Sequence, residues 1–128
     1  MNRHCLIVDD SATVRHVLRY LLNKLGWSCS EAPTGVQALE QITAVSPTLV
    51  LLDWNMPVMD GLSCLKAIRA KTLLPRPIVI LCTSESSVSK IREALEAGAD
   101  EYIMKPIDID ILADKLAQLG LVKSGCAA

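Results

Sequence analysis

The chain of 128 residues lacks any apolar stretch long enough to cross a membrane. Its longest run free of charged residues, Gln41 to Leu52, spans 12 positions and is broken by Pro47, whereas a spanning helix needs about 20. No apolar region of signal-peptide length precedes Asp9, and residue 2 is Asn rather than the Gly that myristoylation requires. None of the five cysteines forms a Cys-x-x-Cys pair with another. Cys5 and Cys82 lie instead inside apolar runs, where a thiol behaves as a small hydrophobe. That usage points to a reducing cytoplasm, without disulfides or a zinc site. Neither sign of charge is in excess: 13 Lys and Arg are interspersed with 14 Asp and Glu, for a net charge of −1. The basic stripe of a nucleic-acid binder is missing. The apolar content of 51% must therefore fill the core of one soluble domain, long enough to bury about two-thirds of its unfolded surface.

What is present alternates. Cys5-Leu6-Ile7-Val8 is a short apolar run, followed at helical spacing by Val14, Val17, Leu18, Leu21, Leu22 and Leu25, with Gly26 as a C-terminal stop. A weaker strand, Ser28 to Ala32, leads through Pro33-Thr34-Gly35 to a second helix carrying Val36, Leu39, Ile42 and Val45. Leu49-Val50-Leu51-Leu52 is apolar at successive positions, the mark of a strand covered on both faces. Asp60-Gly61 opens a third helix with Leu62, Leu65 and Ile68. Ile78 to Cys82 is a second continuous apolar run, and the helix after it places Val88, Ile91 and Leu95 on one stripe. Glu101 to Met104 makes a shorter fifth strand, and Asp108 caps a last helix through Ile109, Leu112, Leu116 and Leu119. Five strand–helix units in succession predict an α/β domain, a parallel sheet with helices on both faces.

In such sheets ligands bind beyond the carboxyl ends of the strands, where strand order reverses. Just past the first strand stand two adjacent carboxylates, Asp9 and Asp10. Past the third comes Asp53, past the fourth Thr83, Ser84 and Glu85, and past the fifth Lys105. The adjacent pair is either a solvated turn or half of a site that waits for a cation. Three carboxylates against one lysine leave about two uncompensated negative charges. Each like-charge pair at 4 Å costs about 4 kcal/mol at an effective dielectric near 20. A divalent cation removes that cost, and an all-oxygen donor set with few protein contacts suits Mg²⁺. Asp53 is the best nucleophile candidate, since carboxylates form aspartyl-phosphate intermediates. The metal, Lys105 and the Thr83 hydroxyl would then hold phosphoryl oxygens, the positioning that phosphoryl transfer mainly requires.

Four segments, "IVDDS" at 7–11, "LLDWNMPVMDGL" at 51–62, "ILCTSE" at 80–85 and "DEYIMKP" at 100–106, together make the chain resemble a receiver domain of two-component signalling. The likeness is to the stand-alone, CheY-like form of response regulator. It covers residues 3 to about 121 and implies a flavodoxin-like fold with strand order 2-1-3-4-5. Position by position it makes Asp53 the phosphoacceptor, Asp10 a direct Mg²⁺ ligand, and Asp9 a ligand directly or through water. The backbone carbonyl of Asn55 would complete the protein's share. Thr83 would be the switch hydroxyl, Lys105 the cation that pairs with the phosphoryl group, and Tyr102 an aromatic that changes rotamer as Thr83 moves. Asn55 and Glu85 would tune self-dephosphorylation, and the Lys105–Pro106 peptide would be cis, as only X–Pro bonds readily are. Ser11 reads as a helix N-cap, His16 as a solvated surface residue, Trp54 as a shield at the site's edge, and Trp27 as packing at a helix exit.

The expected function is a phosphorylation-driven binding switch, not an enzyme with a substrate of its own, although such a domain phosphorylates itself from small donors and dephosphorylates itself. A histidine kinase would be the donor. An output protein would bind the face made by the fourth helix, fifth strand and fifth helix, exposing Lys90, Tyr102 and Lys105. Residues 1–121 would form the receiver and 122–128 a short tail, too short for an output domain, in a cytoplasmic monomer with no nucleic-acid or membrane partner. The alternative is a phosphorelay shuttle or phosphate sink that passes the group to a histidine phosphotransfer protein. A haloacid-dehalogenase-type phosphatase is disfavoured, because its Asp-x-Asp pattern after the first strand is absent.

Overall fold

The computed structural model describes residues 3–73, 76–84 and 87–121. In chain order these form β1 (His4–Val8), α1 (Ala12–Lys24), β2 (Ser28–Ala32), α2 (Gly35–Val45) and β3 (Leu49–Asp53). They continue with α3 (Gly61–Ala70), β4 (Ile78–Thr83), α4 (Val88–Glu96), β5 (Glu101–Met104) and α5 (Ile109–Gln118). All strand pairs are parallel, and the sheet runs β2-β1-β3-β4-β5. The expected fold class and strand order are both found.

Successive strand residues point to opposite faces, so the continuous apolar runs fill two cores. Leu6, Val8, Val50, Leu52, Val79 and Leu81 pack on one face with Ile42 of α2, Cys64, Leu65 and Ile68 of α3, and Ala94 of α4. Cys5, Ile7, Leu49, Leu51, Ile80, Cys82 and Ile103 pack on the other with Leu18 and Leu22 of α1 and Leu112 and Leu116 of α5. Trp27 lies in this second core, buried at the exit of α1 as expected. Each fully buried Leu or Ile stabilises the fold by about 1.5–3 kcal/mol. The cysteines behave as small hydrophobes: burial pushes the Cys82 thiol up to about 12, and those of Cys29 and Cys64 to about 11.

Four of the helices start at a side-chain cap. Ser11, Thr34, Asp60 and Asp108 each accept a hydrogen bond from the backbone N–H three residues on. At the exit of α1, Gly26 takes φ +88° and lets the Trp27 N–H reach back to the Leu22 carbonyl at 2.9 Å.

Helix α4 departs from its apolar pattern. Val88 is 71% exposed and Leu95 45% exposed, and the helix buries only Ala94. Small residues, Ala94 with Ala97 and Ala99 just beyond, make its contact with the core, which leaves the stripe of larger side chains on the rim.

The β3–α3 connection turns sharply at Val58, whose φ is +69° while the Met59 N–H donates to the Pro57 carbonyl at 2.8 Å. A β-branched residue in that region is strained, and the side chain is fully exposed, so it recovers nothing by packing. Val58→Gly is therefore expected to stabilise the protein by about 1 kcal/mol, read as a higher urea midpoint with an unchanged slope. A lower midpoint would show that the valine side chain contributes a contact.

Candidate functional site

Strand β1 connects outward to β2 while its other neighbour, β3, connects onward to β4. The crevice of the sheet therefore opens between the carboxyl ends of β1 and β3. Val8 lies opposite Leu52 in their register, so Asp9 and Asp53 leave adjacent strands at the same height. Asp9 and Asp53 are only 2% and 4% exposed, whereas Asp10, in the turn that enters α1, is exposed. One carboxylate oxygen from each of Asp9, Asp10 and Asp53 lies within 4.8 Å of the others. Lys105 arrives from the end of β5. Its Nζ donates to Asp9 Oδ2 at 3.0 Å and to Asp53 Oδ1 at 2.9 Å.

The cluster is charge-unbalanced, as the sequence implied. Burial pushes the Asp53 carboxyl above its ordinary value, and the hydrogen bond and charge of Lys105 offset this only in part, with Asp9 adding repulsion. The ammonium alone thus does not hold Asp53 below the usual carboxylate range. The Asn55 backbone N–H also donates to this carboxylate. For Lys105, burial pulls downward, but its bonds to Asp53 and Asp9 win and leave it above its ordinary value. Three hard oxygen donors, converging with two negative charges more than the lysine neutralises, fit a small divalent cation such as Mg²⁺.

The other expected site residues lie around this cluster. Thr83 ends β4 with its side chain buried, and its carbonyl accepts from the Lys105 N–H at 2.8 Å. The Lys105–Pro106 peptide is cis. Asn55 is exposed in the β3–α3 connection. Tyr102 is half-buried on β5, with Lys115 Nζ 5.1 Å from its ring centroid. Trp54 is 6% exposed and packs into the α2–α3–α4 core, with Lys90 Nζ 5.4 Å from its ring centroid. Glu85 lies outside the described residues, as does the tail at 122–128. His16 is exposed, and Ser11 caps α1.

Of the three residues expected to be exposed on the α4–β5–α5 face, Lys105 is instead turned into the carboxylates, and Lys90 and Tyr102 are half-buried. Four large apolar side chains are exposed on those elements, Val88, Leu95, Met104 and Ile111, among charged ones such as Arg92, Glu93 and Asp114. Two contributors to the site were missed. Gly61 approaches the Asp53–Trp54 backbone so closely that a Cβ would lie 2.7 Å from the Trp54 Cα and nearer still to the Asp53 carbonyl oxygen; only its role at the helix entry was legible. Arg15 donates from Nη1 to the Asp9 carbonyl at 2.7 Å. An arginine one turn into the helix after a carboxylate pair was the available signal.

Residues 5–117 match the response regulator receiver domain family. The chain is 40% identical over 113 residues to the chemotaxis protein CheY1 of Helicobacter pylori, covering 87% of this chain and 91% of that protein. It is 36% identical over 115 residues to the chemotaxis protein CheY of Pseudomonas aeruginosa, covering 89% and 93% respectively. Among solved structures, Vibrio cholerae CheY4 superposes with a TM-score of 0.86 at 28% identity, over 92% of this chain and 98% of that one. A CheY-like receiver domain protein from Methanospirillum hungatei gives 0.81 at 30% identity, over 93% and 94%. With a family match across nearly the whole sheet, and relatives of this identity and coverage, the chain belongs to the response regulator receiver domains of two-component signalling.

Proposed function

We propose that the chain is a signalling switch that accepts a phosphoryl group on Asp53 from a histidine kinase. The observation that carries this reading is Lys105 Nζ held between Asp9 and Asp53, at 3.0 and 2.9 Å, in the crevice between β1 and β3. An Asp53 carboxylate oxygen attacks phosphorus as the donor's phosphorus–nitrogen bond breaks, and the leaving imidazole keeps the electron pair. Asp9, Asp10, Asp53 and the Asn55 backbone carbonyl would hold Mg²⁺, which when bound neutralises charge on the phosphoryl oxygens. Lys105 exchanges its carboxylate partner for a phosphoryl oxygen, supplying the fixed positive charge that this transfer needs. Thr83, buried beside the crevice and backbone-bonded to Lys105, turns its hydroxyl toward the same group, and Tyr102 on the neighbouring strand repacks. Glu85 and Asn55 tune the return reaction, in which water removes the phosphoryl group.

The readout is a change of affinity on the α4–β5–α5 face for an output protein. The exposed Val88, Leu95, Met104 and Ile111 support that placement, since apolar side chains on those three elements suit a protein contact. The chemotaxis proteins among the relatives support an output of that class. We assign residues 1–121 to the receiver and 122–128 to a tail, in a cytoplasmic monomer. No helix among the described residues is long and apolar enough to cross a membrane.

The test is intact-mass spectrometry of the protein with Mg²⁺ and acetyl phosphate, beside Asp53→Asn. One phosphoryl adduct that requires Mg²⁺, decays on standing and is absent in the variant is expected. A folded wild type that forms no adduct would make the protein a phosphorylation-independent binding module.

A further inference from the structure

Every polar group of Asp9 is tied down. Its N–H donates to the Ala32 carbonyl at 3.2 Å, its Oδ1 accepts from the Ser11 N–H at 2.9 Å, and its Oδ2 accepts from Lys105. Its carbonyl accepts from Arg15 Nη1 at 2.7 Å. That carbonyl belongs to the rigid peptide plane joining Asp9 to Asp10, so whatever holds it also sets the direction in which the Asp10 side chain departs. Arg15 is in turn held from the far side: its Nε donates to Glu31 Oε1 at 3.0 Å, and its side chain is 15% exposed. Glu31 sits on β2, opposite Ile7 of β1, and its own carbonyl is bonded by Gln41 of α2 at 2.9 Å. Burial favours the neutral Glu31, but Arg19 and Arg15 outweigh it and hold the carboxyl below its usual range. The guanidinium thus works as a planar brace between a fixed carboxylate and a fixed carbonyl, a task for which its rigid fork is suited and an ammonium is not.

We infer that Arg15, braced by Glu31, is a positioning residue that orients the Asp9–Asp10 peptide and thereby sets the affinity of the carboxylate cluster for Mg²⁺. This rests on the reading above that the cluster binds Mg²⁺. Its sign separates it from plain electrostatics. Arg15 puts a positive charge beside an anionic site, so Coulomb's law alone makes its removal tighten cation binding. Loss of orientation makes its removal weaken binding. Arg19 provides the internal control, because it donates to Glu31 Oε2 at 2.7 Å and carries the same charge, yet no bond joins it to Asp9.

The experiment is a Mg²⁺ titration of the full chain followed by tryptophan fluorescence, for wild type, Arg15→Met, Arg19→Met and Arg15→Lys, with the fold of each checked by circular dichroism. Removing an outer partner of a metal ligand weakens metal binding about 10- to 100-fold. Arg15→Met is expected at the lower end of that range, and Arg19→Met within about twofold of wild type or slightly tighter. Arg15→Lys keeps the charge but bonds only one of the two partners, so it should weaken binding several-fold. It carries the test alone if the methionine variant does not fold. Phosphorylation of Arg15→Met by acetyl phosphate should return to the wild-type rate at saturating Mg²⁺, a recovery that a merely misfolded site would not make. An unchanged or tighter affinity in the Arg15 variants overturns the inference, as does equal weakening in Arg19→Met. A wild type that binds no Mg²⁺ overturns the reading beneath it, and the inference with it.

Discussion

Gly61→Ala is expected to cost about 2 kcal/mol of stability and to displace the backbone of Asp53. A Cβ at this position meets the Asp53 carbonyl oxygen and the Trp54 Cα, 2.7 Å away, and both are main-chain atoms that cannot turn aside as a side chain would. Steric overpacking in a rigid place costs about 1–3 kcal/mol, occasionally more. The helix propensity gained from alanine recovers at most about 1 kcal/mol. The contact is fixed from both sides: the Gly61 N–H donates to the Trp54 carbonyl at 2.8 Å, and the Trp54 N–H donates to the Cys82 carbonyl at 3.0 Å. Relief therefore has to come from moving the first turn of α3 away from β3, or the end of β3 away from β4. Urea denaturation measures the loss, and phosphorylation of Asp53 by acetyl phosphate should slow with it. A variant within 1 kcal/mol of wild type would mean that α3 slides on the sheet more easily than its packing implies.

Lys105→Met is expected to destabilise the metal-free protein by about 2 kcal/mol at neutral pH. Breaking a buried ion pair by deleting one partner costs about 3–5 kcal/mol, and the partial exposure of the lysine, 25%, reduces that figure. What remains is Asp9 facing Asp53 with no cation between them. The pH dependence has a definite sign. Lys105 is raised above its ordinary value, so its contribution is fully present through the neutral range and fades only in strong alkali. Asp53 is raised as well, by burial first, which means that the folded protein binds this proton more readily than the unfolded chain. Its charge therefore opposes folding above its folded pKa, and the penalty disappears as pH falls through that value. Without Lys105 the carboxyl rises further, so the stability gap between variant and wild type should narrow between pH 7.5 and pH 5. Added Mg²⁺ should narrow it at pH 7.5. Thermal melts at the two pH values, with and without the metal, check both. A gap that stays constant across all four conditions would place the lysine's contribution in packing of its stem.

The fold was legible because its signals are local and mutually consistent. The four apolar positions before Asp53 could be buried on both faces only in a central parallel strand, and there they lie. Ser11 and Asp108 announced their helices as caps, and Asp60 opened the third, since a cap needs only a short side-chain oxygen and a free N–H. Asp9, Asp53 and Lys105 could be gathered without any structure, because a parallel sheet brings the carboxyl ends of all its strands to one edge. The remainder depended on distances that periodicity does not carry. The stripe of α4 repeats like a core face, but a helix may approach the sheet by alanines alone, and Ala94 decides which side is inward. Arg15 drew no reading from the sequence. Its reach to the Asp9 carbonyl depends on where β2 holds Glu31. The burial that raises Asp53 against the pull of its lysine is likewise a property of the packed edge and of no residue type.

The shallow seat of α4 has a kinetic side. Of the helices among the described residues it buries the fewest side chains, one alanine, where α3 buries those of Cys64, Leu65 and Ile68. Local opening free energies follow buried contact, so α4 belongs at the low end of the protein's protection against amide exchange, while β3 belongs at the global limit. A helix held that loosely follows a change at its N-terminal side without breaking the core beneath it. It starts only a few residues past Thr83, the end of the strand that touches the charged crevice. The same economy of packing that leaves Val88 and Leu95 in water makes α4 the described helix that can be re-set at least energetic cost.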